Sequence, residues 1–471
     1  MARVAMLSVH TSPLAALGGK ETGGMNVYVR DLSKELAKLG HEVDIFTRWQ
    51  DSSQPQITQF VPGVRVIQIE AGPRGAYDKN KVYNHLDQFV AGVEALRLAE
   101  GGDYDVIHAH YWLSGLVGIR LREKWLRAGR RVPVLQMFHT LGKLKNGVAQ
   151  TVQEREVDQR IRGEEEVVRQ VDRLIAPTPT EKAHLIWYYG ASSKKVRTVP
   201  CGVDTEMFHP MTAAERRAAR RRLDVSSIAR YALFVGRIEP LKGVETLLRA
   251  VHKLAETEDA VGEMVKLLVV GGDVATSKAV LDAEMLRLQY LAADLGICDR
   301  ISFVGAQPQE KLRDYYASAD VVLMPSRYES FGMVAVEAMA SGTPVIASRV
   351  GGLAYTVRDG QTGYLLAHDD VNAWAEAIHR VLDSPLLRAE LGQQASSHAH
   401  LYAWAQIAMR IDALYAEVLD ENYVAEGEVA ASSCGVEAVP TPLVIRTHRK
   451  SPTPLVVPMR QQMAAGEWAG H

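Results

Sequence analysis

The sequence predicts an α/β protein of two doubly wound parallel-sheet domains that face each other across a cleft. Three observations lead there. Short β-branched runs alternate with amphipathic helical stretches along most of the chain, which is the rhythm of βαβ units. The rhythm pauses after Pro200-Cys201-Gly202, passes an arginine-rich stretch at 216–222, and restarts. The 471 residues, 47% apolar and 23% charged, suit a soluble globular chain of two or three domains.

In chain order, VAMLSV (4–9) is the first strand, and it follows Met1 with no signal-peptide pattern before it. EVDIFT (42–47), VRVIQI (64–69), DVIHAH (105–110), PVLQMFH (133–139), RLIAPT (173–178) and VRTVP (196–200) continue the first set, with helical stretches such as 26–39 and 163–170 between them. YALFVG (231–236), KLLVVGG (266–272), ISFVG (301–305), VVLMPS (321–326) and PVIAS (344–348) form the second. The expected division is a first domain over 1–205, a second over 206–400 and a helix over 401–424. Beyond about 425, Glu, Ala, Ser and Pro dominate and periodicity stops, so 425–471 reads as a disordered tail. PTPLV occurs there at 440–444 and again at 452–456, around Arg446, His448, Arg449 and Lys450. That repeat reads either as low complexity or as a docking peptide in polyproline conformation.

A net charge of −2 gives no field to attract nucleic acid. Cys201, Cys298 and Cys434 form neither a ligand pattern nor a disulfide framework, which fits a reducing, cytoplasmic setting. No apolar stretch is long enough to cross a bilayer.

In doubly wound sheets, ligands bind at the carboxyl ends of the strands, so the chemistry is sought there. ESFGMVAVE (329–337) follows the strand VVLMPS. Ser330 is the expected N-cap, with Phe331 and Gly332 opening a helix. Glu329 then lies in the loop, and Glu337 leans back toward the same opening. The helix N-terminus suits a phosphate, whereas carboxylates suit sugar or ribose hydroxyls. The plainer alternative is a solvated Glu337 and an incidental Glu329. GRIEPLKG (236–243) places Arg237 and Lys242 after a strand, as either solvated cations or phosphate ligands. In GGKETGGMN (18–26), Gly23 and Gly24 permit close backbone approach, though the spacing is not a dinucleotide fingerprint. His139 and Thr140 close a strand, where a histidine can donate to or orient a hydroxyl. His108-Ala109-His110 lacks a third ligand, and Asp103-Tyr104-Asp105 precedes its strand, so no metal site is expected. The basic stretch around Trp125 (Arg120, Arg122, Lys124, Arg127, Arg130, Arg131) is either a solvated face or one that lies on an anionic membrane.

Taken together, Glu329 and Glu337 in an E-x7-E pattern, GR…LKG and the Gly-Gly loop resemble the family 4 retaining glycosyltransferases, over about residues 1–420. The resemblance implies the GT-B fold of two Rossmann-like domains. It also implies a UDP-sugar donor substrate, no required cofactor, and a helix at 402–419 that braces the first domain. Glu329 would contact the donor sugar, Glu337 the ribose, and Arg237 and Lys242 the diphosphate, with Ser330, Phe331, Gly332 and Gly24 around it. His139 would sit near the donor sugar. TSPLA (11–15), GGMNVYV (23–29), HYWLSG (110–115) and FHTLGKLKN (138–146) are similar to the group containing the mycothiol-pathway inositol-phosphate N-acetylglucosaminyltransferases and the sucrose-phosphate synthases. By that likeness Lys79, Tyr111, Thr140 and Arg160 would hold an acceptor phosphate, with Lys81 competing for the place of Lys79, and His10 and Asn26 would touch the acceptor ring. The partners implied are a nucleotide sugar and a phosphorylated small molecule, not nucleic acid. Weak membrane association and a homodimer stay open. Two other functions remain: a UDP-sugar epimerase on the same fold, and a non-catalytic nucleotide-sugar sensor acting through the PTPLV tail.

Overall fold

A computed structural model describes residues 1–15, 22–75, 77–272 and 283–433. The first sheet has eight strands: β1 (Arg3–Leu7), β2 (Glu42–Arg48), β3 (Ile57–Val61), β4 (Val64–Ile69), β5 (Val106–His110), β6 (Val134–Met137), β7 (Arg173–Ala176) and β8 (Val196–Thr198). Their order is β3-β4-β2-β1-β5-β6-β7-β8, parallel throughout except for the antiparallel β3–β4 edge. The second sheet has six parallel strands: β9 (Arg230–Val235), β10 (Val265–Val270), β11 (Ile301–Gly305), β12 (Val321–Met324), β13 (Val345–Ser348) and β14 (Gly363–Leu366), in the order β11-β10-β9-β12-β13-β14. β3 and β14 were not foreseen.

The central strands are apolar runs because helices cover both faces. β5, β6 and β12 are buried along their whole length. The helix Val244–Ala255 shows the matching pattern, burying Val244, Leu247, Leu248, Val251 and Leu254 on one stripe. Strand order reverses between β1 and β5 in the first sheet and between β9 and β12 in the second. Each reversal opens a crevice at the carboxyl ends of those strands, and the loops that carry most of the candidate residues start there.

The chain joins the two sheets twice, and the passages run side by side. Val203 N–H donates to the Tyr402 carbonyl at 2.8 Å, and Trp404 N–H donates back to Val203. A Cβ on Gly202 would lie 2.2 Å from the Trp404 ring, so only glycine admits this crossing. The part of the helix Trp404–Ser433 up to Glu421 then lies against the first sheet. His108 Nδ1 meets the Tyr415 hydroxyl at 2.8 Å, His41 meets Asp412 at 2.9 Å, and Arg173 pairs with Glu417 at 3.0 Å. Residues 1–423 form one compact unit. The helix extends to Ser433, past the residue where the tail was expected to begin, because Ala and Glu there favour helix. The rest of the tail, with the PTPLV repeat and Cys434, lies outside the described residues.

The basic stretch does not present its aromatic to a membrane. Trp125 is 2% exposed and its indole N–H donates to Glu94 at 2.7 Å, while Arg120, Arg122 and Arg130 pair with Asp87, Asp172 and Asp105. Among the described residues no helix is long and apolar enough to cross a membrane.

Candidate active site

A cavity of about 310 Å³ lies between the loop ends of the two sheets. Its first wall is built by the ends of β1, β5 and β6. Two of the three non-glycine residues with positive φ among those described stand here, Tyr111 (72°) after β5 and His139 (63°) after β6. Such conformations cost roughly 1–3 kcal/mol each and gather at functional sites. The strain turns both rings into the cavity.

His139 Nε2 lies 3.0 Å from His110 Nδ1, and His110 Nε2 faces the Met6 sulfur at 2.8 Å. Sulfur can only accept, so His110 carries its proton on Nε2 and accepts with Nδ1. His139 therefore donates from Nε2, which leaves Nδ1 as an acceptor. Burial, with His108 nearby, holds His139 neutral with a pKa near 3, and burial holds His110 well below its ordinary value. The neutral histidine is thus set to accept a hydrogen bond from a hydroxyl at Nδ1 rather than to donate one there.

The acceptor-side cations converge on the same wall. Arg160 is 1% exposed. It donates to Glu164 at 2.7 Å, pairs with Glu156 at 2.9 Å, and donates to the Thr140 carbonyl and hydroxyl at 2.8 and 3.0 Å. Its guanidinium stands 4.8 Å from the Tyr111 ring centroid. Lys79 joins it, its pKa lowered by burial and by the neighbouring cations, whereas Lys81 is exposed at the start of a short helix away from the lining. Lys145, which sequence reasoning missed, also lines the cavity and pairs with Glu156. Burial pushes the Glu156 carboxyl up, but Arg160 and Lys145 outweigh it and hold the pKa at about 2. The Tyr111 hydroxyl is buried with no partner, as is His10 Nδ1, and the His10 ring rests 4.4 Å from that of Tyr111. Asn26 stands in the lining, but its amide is engaged. Oδ1 accepts from Gly23 N–H, and Nδ2 donates to Thr11 Oγ1 and to the Ser12 carbonyl. It shapes the loop more than it offers a free group.

The second wall comes from β9 and β12. Lys242 Nζ pairs with Glu329 at 2.6 Å, and Arg237 with Glu239 at 3.1 Å. The expected N-cap differs. The Ser330 hydroxyl donates to Glu181 of the first half, and Gly332, left-handed at φ 93°, caps the helix Met333–Ala340 instead. The Met333 and Val334 stretch that opens this helix lines the cavity, and a Cβ on Gly24 would lie 3.1 Å from the Met333 sulfur across the cleft. Behind the loop stand Gly351 and Gly352, also unforeseen. A Cβ on Gly351 (φ 43°) would sit 2.1 Å from the Glu329 carbonyl oxygen.

Glu337 does not lean into the cavity. It is 6% exposed, on the helix Met333–Ala340 and outside the cavity lining. It accepts from the Tyr316 hydroxyl at 2.7 Å and from Gln309 at 3.2 Å. Burial raises its pKa to about 7. The walls also touch directly: Leu141 N–H donates to the Tyr328 hydroxyl at 3.2 Å, and Arg327 pairs with Glu154 at 2.8 Å. Among the described residues no group of three or more His, Cys, Asp or Glu could hold a metal.

The site thus has one cationic wall per sheet, set for two anionic groups with hydroxyl-accepting residues between them. Known proteins show the same arrangement of sequence and fold. Residues 22–207 match the Glycosyltransferase Family 4 model, and residues 215–398 match the Glycosyl transferases group 1 model. The D-inositol 3-phosphate glycosyltransferase 2 of Catenulispora acidiphila is 42% identical over 422 residues, which is 89% of this chain and 96% of that one. The D-inositol 3-phosphate glycosyltransferase of Acidothermus cellulolyticus is 41% identical over 92% of this chain and 94% of its own. Among solved structures, sucrose-phosphate synthase from Thermosynechococcus elongatus aligns at 35% identity and a TM-score of 0.79, over 89% of this chain and all of that one. Anabaena HepE in complex with UDP and glucose shares the fold at 19% identity and a TM-score of 0.68. With identity above 40% across nearly the whole length of such relatives, and with both halves matched, this chain belongs to glycosyltransferase family 4.

Proposed function

We propose that the chain is a retaining glycosyltransferase. It moves a hexosyl group, glucose or N-acetylglucosamine, from a UDP-sugar to a hydroxyl of a phosphorylated acceptor such as an inositol phosphate or a hexose phosphate. The observation that carries this reading is the first wall. A buried arginine, two lysines and a tyrosine whose hydroxyl has no hydrogen-bond partner line the cleft together. Two hydroxyls and several cations make a pocket for a phosphate dianion. An epimerase would have no task for that wall. The names of the relatives, which act on D-inositol 3-phosphate, and of the sucrose-phosphate synthase neighbour support the same choice.

In this reading Lys79, Tyr111, Thr140 and Arg160 hold the acceptor phosphate, Lys145 adds charge, and His10 and the Asn26 loop border the ring. Arg237, Lys242 and the N–H groups at the start of Met333–Ala340 face the donor diphosphate, with Ser330, Phe331, Gly332 and Gly24 around it. Glu329 and His139 Nδ1 accept from donor sugar hydroxyls. Glu337 accepts from the ribose once the Gln309 amide gives way. The bond from the anomeric carbon to the diphosphate oxygen breaks, and the acceptor oxygen bonds that carbon on the same face. The acceptor's proton passes to the leaving diphosphate. Arg237 and Lys242 stabilise the charge that develops there, and the contacts between the walls exclude water.

The experiment is UDP release from UDP-glucose and from UDP-N-acetylglucosamine, each with D-inositol 3-phosphate, fructose 6-phosphate or free inositol, with the anomeric configuration of the product read by NMR. Release that needs a phosphorylated acceptor and gives an α-linked product supports the proposal. Acceptor-independent conversion of the donor, or binding without turnover, refutes it.

A further inference from the structure

A second cavity, also of about 310 Å³, lies away from the cleft beside the two passages that join the sheets. Pro200 borders it from one passage and Tyr402 and Arg410 from the other, with Tyr355, Arg358 and His398 completing the wall. The side chains of Arg358 and Arg410 make no ion pair or hydrogen bond among the described residues, although both guanidiniums act electrostatically on the Tyr402 phenol. Most other arginines of the fold are paired. Two neighbouring cations without a counter-charge at the mouth of a cavity call for an anion, and the guanidinium fork matches phosphate oxygens in pairs.

The interior asks for something else. His398 is 8% exposed and its Nδ1 is buried without a partner. Its Nε2 lies 3.1 Å from the Thr356 carbonyl, which can only accept, so the ring proton is on Nε2. Nδ1 of this wall residue therefore carries a lone pair that no protein group satisfies, and a buried acceptor left unsatisfied is costly. Burial and Arg358 keep the ring neutral. A phosphate oxygen cannot satisfy that atom, but a hydroxyl hydrogen can. The Tyr355 ring and Pro200 provide an apolar flank for a short carbon frame.

We propose that this cavity is a second ligand site, for a small hydroxylated phosphate monoester. Its phosphate lies between Arg358 and Arg410, and one hydroxyl donates to His398 Nδ1. The proposal does not depend on the substrate assignment of the cleft.

The test uses the full chain saturated with UDP and carrying isotope-labelled histidine. Glycerol 3-phosphate is titrated while the His398 ring resonance, assigned with His398→Gln, is followed by NMR. The expected result is a saturable shift that weakens by about tenfold or more in Arg358→Gln/Arg410→Gln, since each charge-assisted bond is worth about that factor or more. Both arginines are exposed, so the double variant should keep the melting temperature of the parent. Glycerol alone should not bind, and methyl phosphate, which has no hydroxyl, should bind more weakly. A His398 resonance indifferent to glycerol 3-phosphate, or a shift that survives in the double variant, overturns the site. Equal affinity for methyl phosphate overturns the contact to His398.

Discussion

Replacing Glu337 with glutamine separates what this residue does for the fold from what it does for the ligand. The carboxyl is buried, with Tyr316 and Gln309 as its donors and no cation bonded to it. Burial raises its pKa from 4.5 to about 7. Between those values the unfolded chain has released the proton while the folded chain still holds it. The folded state is therefore favoured less as pH rises through that window, and above it the deficit stays constant. A shift of this size corresponds to about 3 kcal/mol. Glutamine has nearly the same shape, keeps an oxygen for the Tyr316 hydroxyl and carries no charge. Glu337→Gln should match the parent near the lower end of the window and exceed it by about 3 kcal/mol at mildly alkaline pH, a rise of several degrees in Tm. If ribose hydroxyls donate to the ionised carboxylate, the same variant should raise KM for the UDP-sugar. The assays are thermal unfolding across pH and steady-state kinetics with donor varied. A stability difference that does not change with pH, or a variant less stable at alkaline pH, would refute the reasoning.

Three further outcomes follow from the geometry. Lys242→Ala should lower kcat by about a hundredfold or more, because a donor to the developing charge is lost, while its partly exposed pair with Glu329 adds little stability; kcat beside a melting curve checks this. Tyr111→Phe removes a hydroxyl with no protein partner, so stability should stay within about 0.5 kcal/mol while KM for the phosphorylated acceptor rises and KM for the donor does not. Gly351→Ala places a Cβ 2.1 Å from the Glu329 carbonyl oxygen in a left-handed backbone, and should lower both stability, by roughly 1–3 kcal/mol, and kcat, as read by urea unfolding and initial rates.

The central strands were legible because they are buried on both faces and read as apolar runs. β3 and β14 escaped because both are short, partly exposed edge strands, β3 mixed in polarity and β14 only four residues long. Arg237, Lys242 and Glu329 could be found from their place after a strand, since strand ends determine where loops open. The burial of Glu337 could not, because its donors Tyr316 and Gln309 lie on another helix, and nor could the loss of the Ser330 cap, since Ser330 is engaged by Glu181 from the other half of the chain. Lys145 and Glu156 carry no local signal, and only the folding of Gly142–Val148 against Asp158–Gln170 brings them to Arg160. Trp125 read as a surface aromatic because its indole partner, Glu94, lies on another helix. The left-handed backbone at Tyr111 and His139, the plainest structural mark of the site, has no signature in residue type.

The central claim is that a phosphate on the acceptor is gripped by the first wall. It is tested most directly by comparing kcat/KM for D-inositol 3-phosphate with that for free inositol, in the parent and in Lys79→Gln. The account predicts a preference for the phosphorylated acceptor of about a hundredfold or more in the parent, the worth of two or so charge-assisted bonds, and a fall of about tenfold in that preference in the variant with melting temperature and donor KM unchanged. Equal use of both acceptors by the parent, or a preference undiminished by the substitution, would contradict it.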